Sequence, residues 1–124
     1  MKQLCLHDNQ LEEIASNTFD NLPQLKSLCL SNNKIRLLHP EAFKGLSQLE
    51  NLSLWGNQIE EIAPNTFNDL SQLKTLDLGL NRIKRISQGV FNNLVKLESL
   101  DLSFNQTRLF FSLIFYKSPP HQKS

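Results

Sequence analysis

The sequence predicts an α/β solenoid, a right-handed superhelix in which a parallel sheet of about five strands lines the concave side. Apolar residues recur with a period of 24 residues over most of the chain, as in a stacked repeat. Each period contains a Leu-x-Leu pair, and an Asn follows three residues later. No single helical or strand periodicity explains the uneven apolar spacing between Leu52 and Leu70.

The Leu-x-Leu pairs define the strands. Because side chains alternate along a strand, both Leu of a pair point to one side, where they can pack against neighbouring coils. Strands are expected near residues 4–6, 28–30, 52–54, 76–78 and 100–102. They should pair in parallel at a spacing of about 4.8 Å. A single coil cannot bury its own apolar face, so about three or more coils must stack.

Two further sets of residues that recur every 24 positions predict the structure of the rest of each coil. We call each set a column. The Asn after each strand can donate to and accept from buried backbone groups, so stacked coils should form an Asn ladder. This column is Asn9, Asn33, Asn57, Asn81 and Asn105. A Phe column should fill the wide return side of the coil, where an irregular or briefly helical arc is expected. It is Phe19, Phe43, Phe67 and Phe91.

The full consensus is L-x-x-L-x-L-x-x-N-x-I-x-x-I-x-x-x-x-F-x-x-L-x-x. In this pattern the chain resembles leucine-rich repeat proteins of the 24-residue extracellular subtype, as in Toll-like receptor, Slit and variable lymphocyte receptor ectodomains. The resemblance covers residues 1–106, in coils starting at residues 1, 25, 49, 73 and 97. It implies an extracellular or cell-surface module that binds a protein or microbial-surface ligand through its concave face, without catalysis or a cofactor.

The last segment departs from this consensus. Residues 107–116 are interpreted as a degraded return arc, because Thr107 replaces the expected Ile while Phe110 and Phe115 stay in phase. Residues 117–124 are polar and contain a Pro-Pro pair, so we expect a disordered tail.

Composition and charge exclude several classes of protein. A net charge of +1 leaves no basic footprint, so no binding to nucleic acid is expected. No apolar run reaches the roughly 18 residues of a membrane span. Met1 begins inside a repeat, with neither a signal peptide nor the Cys-rich caps that the resemblance implies. These features favour a fragment of a longer receptor over a natural short form, and uncapped ends would allow self-association.

Motifs of catalytic sites are absent from the sequence. There is no G-x-S-x-G, no H-E-x-x-H and no Gly-rich phosphate loop. The coil pattern separates His7, His39 and His121, which are therefore not expected to converge. We predict that the chain is not an enzyme.

Cys5 and Cys29 occupy the same position in neighbouring coils. A metal site of both cysteines with His7 is one interpretation, although it lacks a fourth ligand apart from Asp8. A disulfide is another, but parallel neighbours hold their Cβ atoms about 4.8 Å apart, beyond the usual limit of about 4.5 Å. Free thiols are therefore favoured, and no metal site is predicted.

Alternation along the strands assigns the outward positions of the concave face. With Leu52 and Leu54 inward, Ser53 and Trp55 face solvent. The predicted ligand-binding residues are Trp55, Asp77 and Asp101 at the centre, with Leu80 and Phe104 on the flank. Trp is enriched in binding hot spots, and paired carboxylates attract a cation or a basic group. The alternatives are an incidental aromatic and ordinary solvated carboxylates.

Asn51 begins a glycosylation sequon, Asn51-Leu52-Ser53, on the same face. A glycan on Asn51 would obstruct the central face of a secreted protein.

The alternative function is an intracellular scaffold for protein–protein interaction, which the exposed thiols and the absence of a signal peptide favour. Acidic and basic residues alternate from coil to coil on the return arc and at the second residue of each coil, as in Lys26 and Glu50. This pattern predicts ion pairs worth under about 1 kcal/mol each.

Overall fold

The structure is a computed structural model that describes residues 1–87 and 89–106. It contains nine short strands: β1 Gln3–Cys5, β2 Glu13–Ile14, β3 Ser27–Cys29, β4 Leu37–Leu38, β5 Asn51–Ser53, β6 Glu61–Ile62, β7 Thr75–Asp77, β8 Arg85–Ile86 and β9 Ser99–Asp101. In these two ranges there is no helix of the length and apolarity that a membrane crossing requires. The predicted arc at 107–116 and tail at 117–124 lie outside the described residues.

The predicted five-stranded parallel sheet is present, with its strands in the order β1-β3-β5-β7-β9. Facing residues are 24 apart in sequence, as in the pairing of Leu52 with Leu28 and Leu76. Leu52 and Leu54 are at most 1% exposed, so the predicted inward direction of the Leu pairs is confirmed. Each strand lies one residue earlier than predicted, because the chain already turns after the second Leu of each pair.

The return side carries two small parallel sheets that the sequence analysis did not predict, β2-β4 and β6-β8. Each strand buries one apolar side chain, for example Ile62, and exposes the residue before it, here Glu61. Strands of two residues carry too little alternation to be recognised in a sequence. The rest of the return arcs in the described ranges consists of turns and bends without a helix. The predicted irregular arcs are therefore observed, and this part of the chain is a β-solenoid without the helical component of the predicted α/β class.

The Phe column forms a stack through the return side. Ring centroids of successive Phe residues are 6.1–6.2 Å apart, and the ring planes differ by at most 13°. Phe43 and Phe67 are at most 1% exposed, whereas Phe91 is half-buried. The prediction that this column fills the coil is confirmed.

The Asn ladder is confirmed as well. The Asn57 amide donates to the carbonyls of Leu54, in its own coil, at 2.9 Å and of Leu30, in the preceding coil, at 3.0 Å. Its Oδ1 accepts from the backbone N–H of Ile35 at 3.1 Å. Asn81 repeats this pattern one coil later. Each of these buried Asn residues therefore ties its own strand end to the coil before it.

Ion pairs join neighbouring coils, as predicted. They are Lys26–Glu50, Arg36–Glu12, Lys84–Glu60 and Arg85–Glu61, at 3.4–3.9 Å. These side chains are largely solvated, so each pair contributes little free energy and favours the register of stacking.

Candidate binding face

The concave face divides into a polar groove and a strip along one side of it. The groove encloses about 480 Å³ and is lined mainly by the third and fifth residues of every coil, including Cys5, Cys29, Asp77 and Asp101. The strip holds the seventh and eighth residues, among them Trp55, Leu80 and Phe104, which do not line the groove. The predicted site residues therefore lie on both parts of the face.

Trp55, Asp77 and Asp101 converge around Gly79. A methyl group at Gly79 would meet Cδ1 of Trp55 at 3.0 Å, Oδ1 of Asp77 at 3.2 Å and Oδ1 of Asp101 at 3.3 Å. Trp55 is half-buried rather than free in solvent, and Gly79 is buried. The absence of a side chain at Gly79 lets an indole edge and two carboxylates from three successive coils share one small area.

The two carboxylates have different environments. Asp77 and Asp101 are facing residues of β7 and β9, as the sequence predicted. Oδ1 of Asp77 accepts the N–H of Gly79 at 3.0 Å, and Oδ1 of Asp101 accepts the N–H of Ser103 at 2.8 Å and its hydroxyl at 2.6 Å. Burial, and to a smaller degree the nearby charge of Asp101, raises the pKa of Asp77, although the Gly79 N–H opposes this. A cation near Gly79 would relieve that cost.

The eighth residue of every coil adopts a left-handed backbone conformation. Its φ angles are 61° at Asp8, 56° at Asn32, 76° at Gly56, 51° at Leu80 and 59° at Phe104. Gly, Asn and Asp tolerate this region, whereas Leu and Phe enter it at a cost of about 1–2 kcal/mol. Leu80 and Phe104 are also 42% and 76% exposed. The flank of the predicted site therefore presents exposed apolar side chains on strained backbone.

The sequence analysis missed this conformation, although Asp8, Asn32 and Gly56 carried the signal. Three of five residues in that column are of the types that favour positive φ. It also missed a recurring contact between the fifth and seventh residues. This contact joins Cys5 to His7, Cys29 to Ser31, Asp77 to Gly79 and Asp101 to Ser103.

Cys5 and Cys29 are free thiols, as predicted, and they lie at the other end of the groove. Removal from water, followed by a hydrogen bond with Cys29, raises the pKa of Cys5. Burial also raises the pKa of Cys29, but hydrogen bonds from Ser31 and Cys5 outweigh it, so this pKa lies below its ordinary value. The ligand atoms of Cys5, Cys29 and His7 all lie within 4.8 Å of one another.

Asn51 and His39 belong neither to the area around Gly79 nor to the thiol cluster. Asn51 is exposed at the centre of the face, and its amide donates to the Ser27 hydroxyl at 3.1 Å and accepts from Thr75 at 2.7 Å. His39 lies on the return arc beside the Ser16 hydroxyl, at 2.6 Å, and is thus far from His7 in the coil. His121 is outside the residues that the structure describes.

Comparison with solved structures gives the same fold. The crystal structure of a TLR13–ssRNA13 complex matches with a TM-score of 0.78 and 35% identity, over 82% of this chain and 15% of that chain. The structure of the Toll–Spatzle complex from Drosophila matches with a TM-score of 0.78 and 24% identity, over 86% of this chain and 14% of that chain. The second match supports the fold alone. A search of curated protein sequences found no significant match. Because the sequence pattern of the leucine rich repeat matches residues 1–59 and 47–106, the chain belongs to the leucine-rich repeat family.

Proposed function

We propose that this chain is a non-catalytic recognition module of an extracellular or innate-immune receptor, and that it binds a protein ligand through its concave face. The observation that carries this proposal is the convergence of Trp55, Asp77 and Asp101 around Gly79. The TLR13 solenoid, which is 35% identical over the matched region, has the same fold, and this supports a receptor role. This chain spans only 15% and 14% of the length of the two receptor chains that it matches. The ligand must therefore be inferred from the chemistry of this face.

That chemistry favours a ligand with an apolar group beside a basic one. The half-buried indole of Trp55 offers an aromatic anchor of the type enriched in hot spots. The carboxylates of Asp77 and Asp101 would pair with a Lys or Arg, which would offset the cost of holding the Asp77 charge in a partly buried site. Leu80 and Phe104 would extend the apolar contact, and their backbone strain is of the kind retained at binding sites. A cationic microbial-surface ligand would satisfy the same groups.

RNA is the second candidate ligand. The match to a TLR13–ssRNA13 complex means that the expectation of no nucleic acid, drawn from net charge, is not supported. Phosphates would be repelled by Asp77 and Asp101, so RNA would have to bind elsewhere on the chain. The two candidates therefore differ in which substitutions affect them.

The cellular location of the chain distinguishes the proposed receptor function from the alternative function as an intracellular scaffold. If the chain is exposed to the secretory pathway, the exposed Asn51 sequon should carry a glycan. Secretion of the chain from eukaryotic cells should then give a mass shift that a glycosidase removes and that Asn51→Gln abolishes. A glycan on Asn51 would obstruct the central face and so count against ligand binding there. A secreted chain without this glycan would leave that face open and count against the glycoprotein assignment.

The binding test is a paired measurement on Trp55→Ala and Asp77→Ala. A partner captured on the immobilised chain is identified and titrated against each variant, with thermal melting measured in parallel. Trp55→Ala should weaken binding by about tenfold or more, equal to about 1.4 kcal/mol, with little change in melting temperature. Asp77→Ala should act in the same direction, more strongly at low salt.

Matched controls come from the return side. Leu37 is 55% exposed and Glu13 is exposed, so Leu37→Ala and Glu13→Ala should leave binding unchanged. Undiminished binding by both test variants would move the site away from the concave face. Tight binding of single-stranded RNA, insensitive to both substitutions, would favour the second candidate ligand.

A further inference from the structure

The first two coils bring soft metal ligands together at one edge of the concave sheet. Cys5 and Cys29 are facing residues of the paired strands β1 and β3. His7 follows the end of β1, and its Nδ1 lies 2.7 Å from Sγ of Cys5. All three ligand atoms lie within 4.8 Å of one another, in the arrangement that the sequence analysis considered before it favoured free thiols.

We propose that Cys5, His7 and Cys29 form a Zn²⁺ site. Two thiolates and one imidazole are the donor set that zinc prefers over hard cations such as Ca²⁺ and Mg²⁺. The site is separate from the patch around Gly79, since its ligands come from β1, β3 and the turn after β1, whereas that patch belongs to the later coils. It therefore does not depend on the proposed ligand-binding function.

The distances fit zinc with a small adjustment. Zn–S bonds of about 2.3 Å and Zn–N bonds of about 2.0 Å place tetrahedral ligand atoms about 3.5–3.8 Å apart. The separation between Cys5 Sγ and His7 Nδ1 must therefore increase by about 1 Å on binding. Both side chains are exposed, so rotation about their side-chain bonds can supply this movement without disturbing the core.

Asp8 is the orienting residue of the site. Its Oδ2 lies 3.6 Å from Nε2 of His7, the ring nitrogen that points away from the thiols. This separation exceeds hydrogen-bond length, so a small rotation must bring the carboxylate to the ring N–H before it can fix the ring and raise its basicity. The left-handed backbone of Asp8, with φ of 61°, turns the chain after β1 directly beyond His7. Asp8 thus acts on His7, and water completes the coordination of the zinc.

A second support is the recurrence of the contact between the fifth and seventh residues. The same geometry joins Cys29 to Ser31 at 3.2 Å and Asp101 to Ser103 at 2.6–2.8 Å. The fifth and seventh residues of a coil therefore project to the same side at short range, which brings His7 to Cys5. The pairing of β1 with β3 then places Cys29 beside Cys5.

The test is zinc binding by the full chain, in a phosphine reductant that keeps thiols reduced without coordinating zinc strongly. Competition with a chromogenic chelator should give one Zn²⁺ per chain. Co²⁺ should give thiolate charge-transfer absorption and tetrahedral d–d bands. Cys5→Ser and His7→Ala should each weaken binding by more than about 100-fold, and Asp8→Asn by about tenfold, as expected for a ligand and for its orienting partner.

A matched control separates this site from other histidines. His39→Ala changes a histidine on the return arc and should leave zinc affinity unchanged. The exposed Cys5 makes Cys5→Ser informative even if the half-buried Cys29 does not tolerate Ser. Zinc affinity that survives Cys5→Ser or His7→Ala, or the absence of thiolate absorption with Co²⁺, would overturn the proposal.

Discussion

At the scale of single residues, Leu80 and Phe104 are exceptional because they occupy a backbone region that suits Gly, Asn and Asp. The same position in other coils holds Asp8, Asn32 and Gly56, so the repeat geometry requires the conformation whatever the residue. Leu80 gains little compensation from burial, since 42% of it is exposed. Strain kept without a folding benefit is consistent with a binding role for this side chain.

A stability measurement tests that strain. Leu80→Asn should be more stable than Leu80→Ala by about 1 kcal/mol, because Asn tolerates positive φ and Ala retains the Cβ penalty. Both variants lose the same apolar contacts, so the comparison isolates the backbone. Urea denaturation of the two variants gives the difference. Equal unfolding free energies would mean that the backbone there relaxes without cost.

Asp77 predicts a pH dependence of stability. Folding raises the pKa of Asp77 above its unfolded value of about 3.9, so the folded state binds this proton more tightly than the unfolded chain does. The free energy of unfolding therefore falls as pH rises through the folded pKa. Asp77→Asn keeps the acceptor for the Gly79 N–H and removes the charge. It should stabilise the protein at neutral pH by at most about 1 kcal/mol, because solvent reaches the side chain.

Urea denaturation over a pH series checks this prediction. The stabilisation by Asp77→Asn should shrink as the pH is lowered below the folded pKa, where the wild-type carboxyl is neutral. Glu13→Gln is the control, because Glu13 is exposed on the return side. A difference between wild type and Asp77→Asn that does not change with pH would contradict the assigned cause.

At the scale of structural elements, the Asn ladder should be worth more than its individual hydrogen bonds suggest. Asn57→Ala leaves the buried N–H of Ile35 without its acceptor, and it removes one of the two Asn donors to each of the Leu30 and Leu54 carbonyls. The expected loss is about 1–3 kcal/mol. Asn9→Ala is the matched control, since Asn9 is exposed and bonds only within its own coil. A loss below about 0.5 kcal/mol for Asn57→Ala in chemical denaturation would contradict the ladder role.

The Phe stack gives a second prediction for elements. Phe67 lies between two rings and has no exposed surface, so Phe67→Ala should destabilise the protein by about 3–5 kcal/mol. Phe91→Ala should cost clearly less, because Phe91 is half-buried. Thermal and chemical unfolding of both variants compare them. Equal losses would show that exposure does not set the cost along this stack.

Residues whose role repeats in every coil were predictable, and residues whose role depends on a particular neighbour were not. Leu54 and Asn57 could be placed because each belongs to a column sampled five times. The half-burial of Trp55 depends on Gly79, which lies in the next coil and lacks a side chain. The convergence of His7 with both cysteines was open from the sequence, because the fifth and seventh residues share a face, but strand alternation does not give the distances between their side chains.

At the scale of the whole molecule, hydrogen bonds of the ladder have a direction. Oδ1 of Asn57 accepts from Ile35 in the preceding coil, and the corresponding N–H of its own coil, Ile59, is served by Asn81. Asn57→Ala should therefore accelerate amide hydrogen exchange at Ile35 more than at Ile59. Exchange measured residue by residue checks this. Faster exchange at Ile59 than at Ile35 would reverse the assigned direction.

The same direction has a consequence for synthesis on the ribosome. The N–H of Ile35 finds its acceptor only in Asn57, 22 residues later in the chain. The equivalent hydrogen bonds from the N–H groups of Leu11, Ile59 and Ile83 also form only after a residue of the next coil has been synthesised. Folding must then lag behind emergence of the nascent chain by about one repeat, or about 1–4 s at 5–20 residues per second. During each such interval the newest coil lacks these hydrogen bonds to the coil that follows it. A pause in translation before the next Asn emerges would therefore expose that coil to chaperones or to degradation.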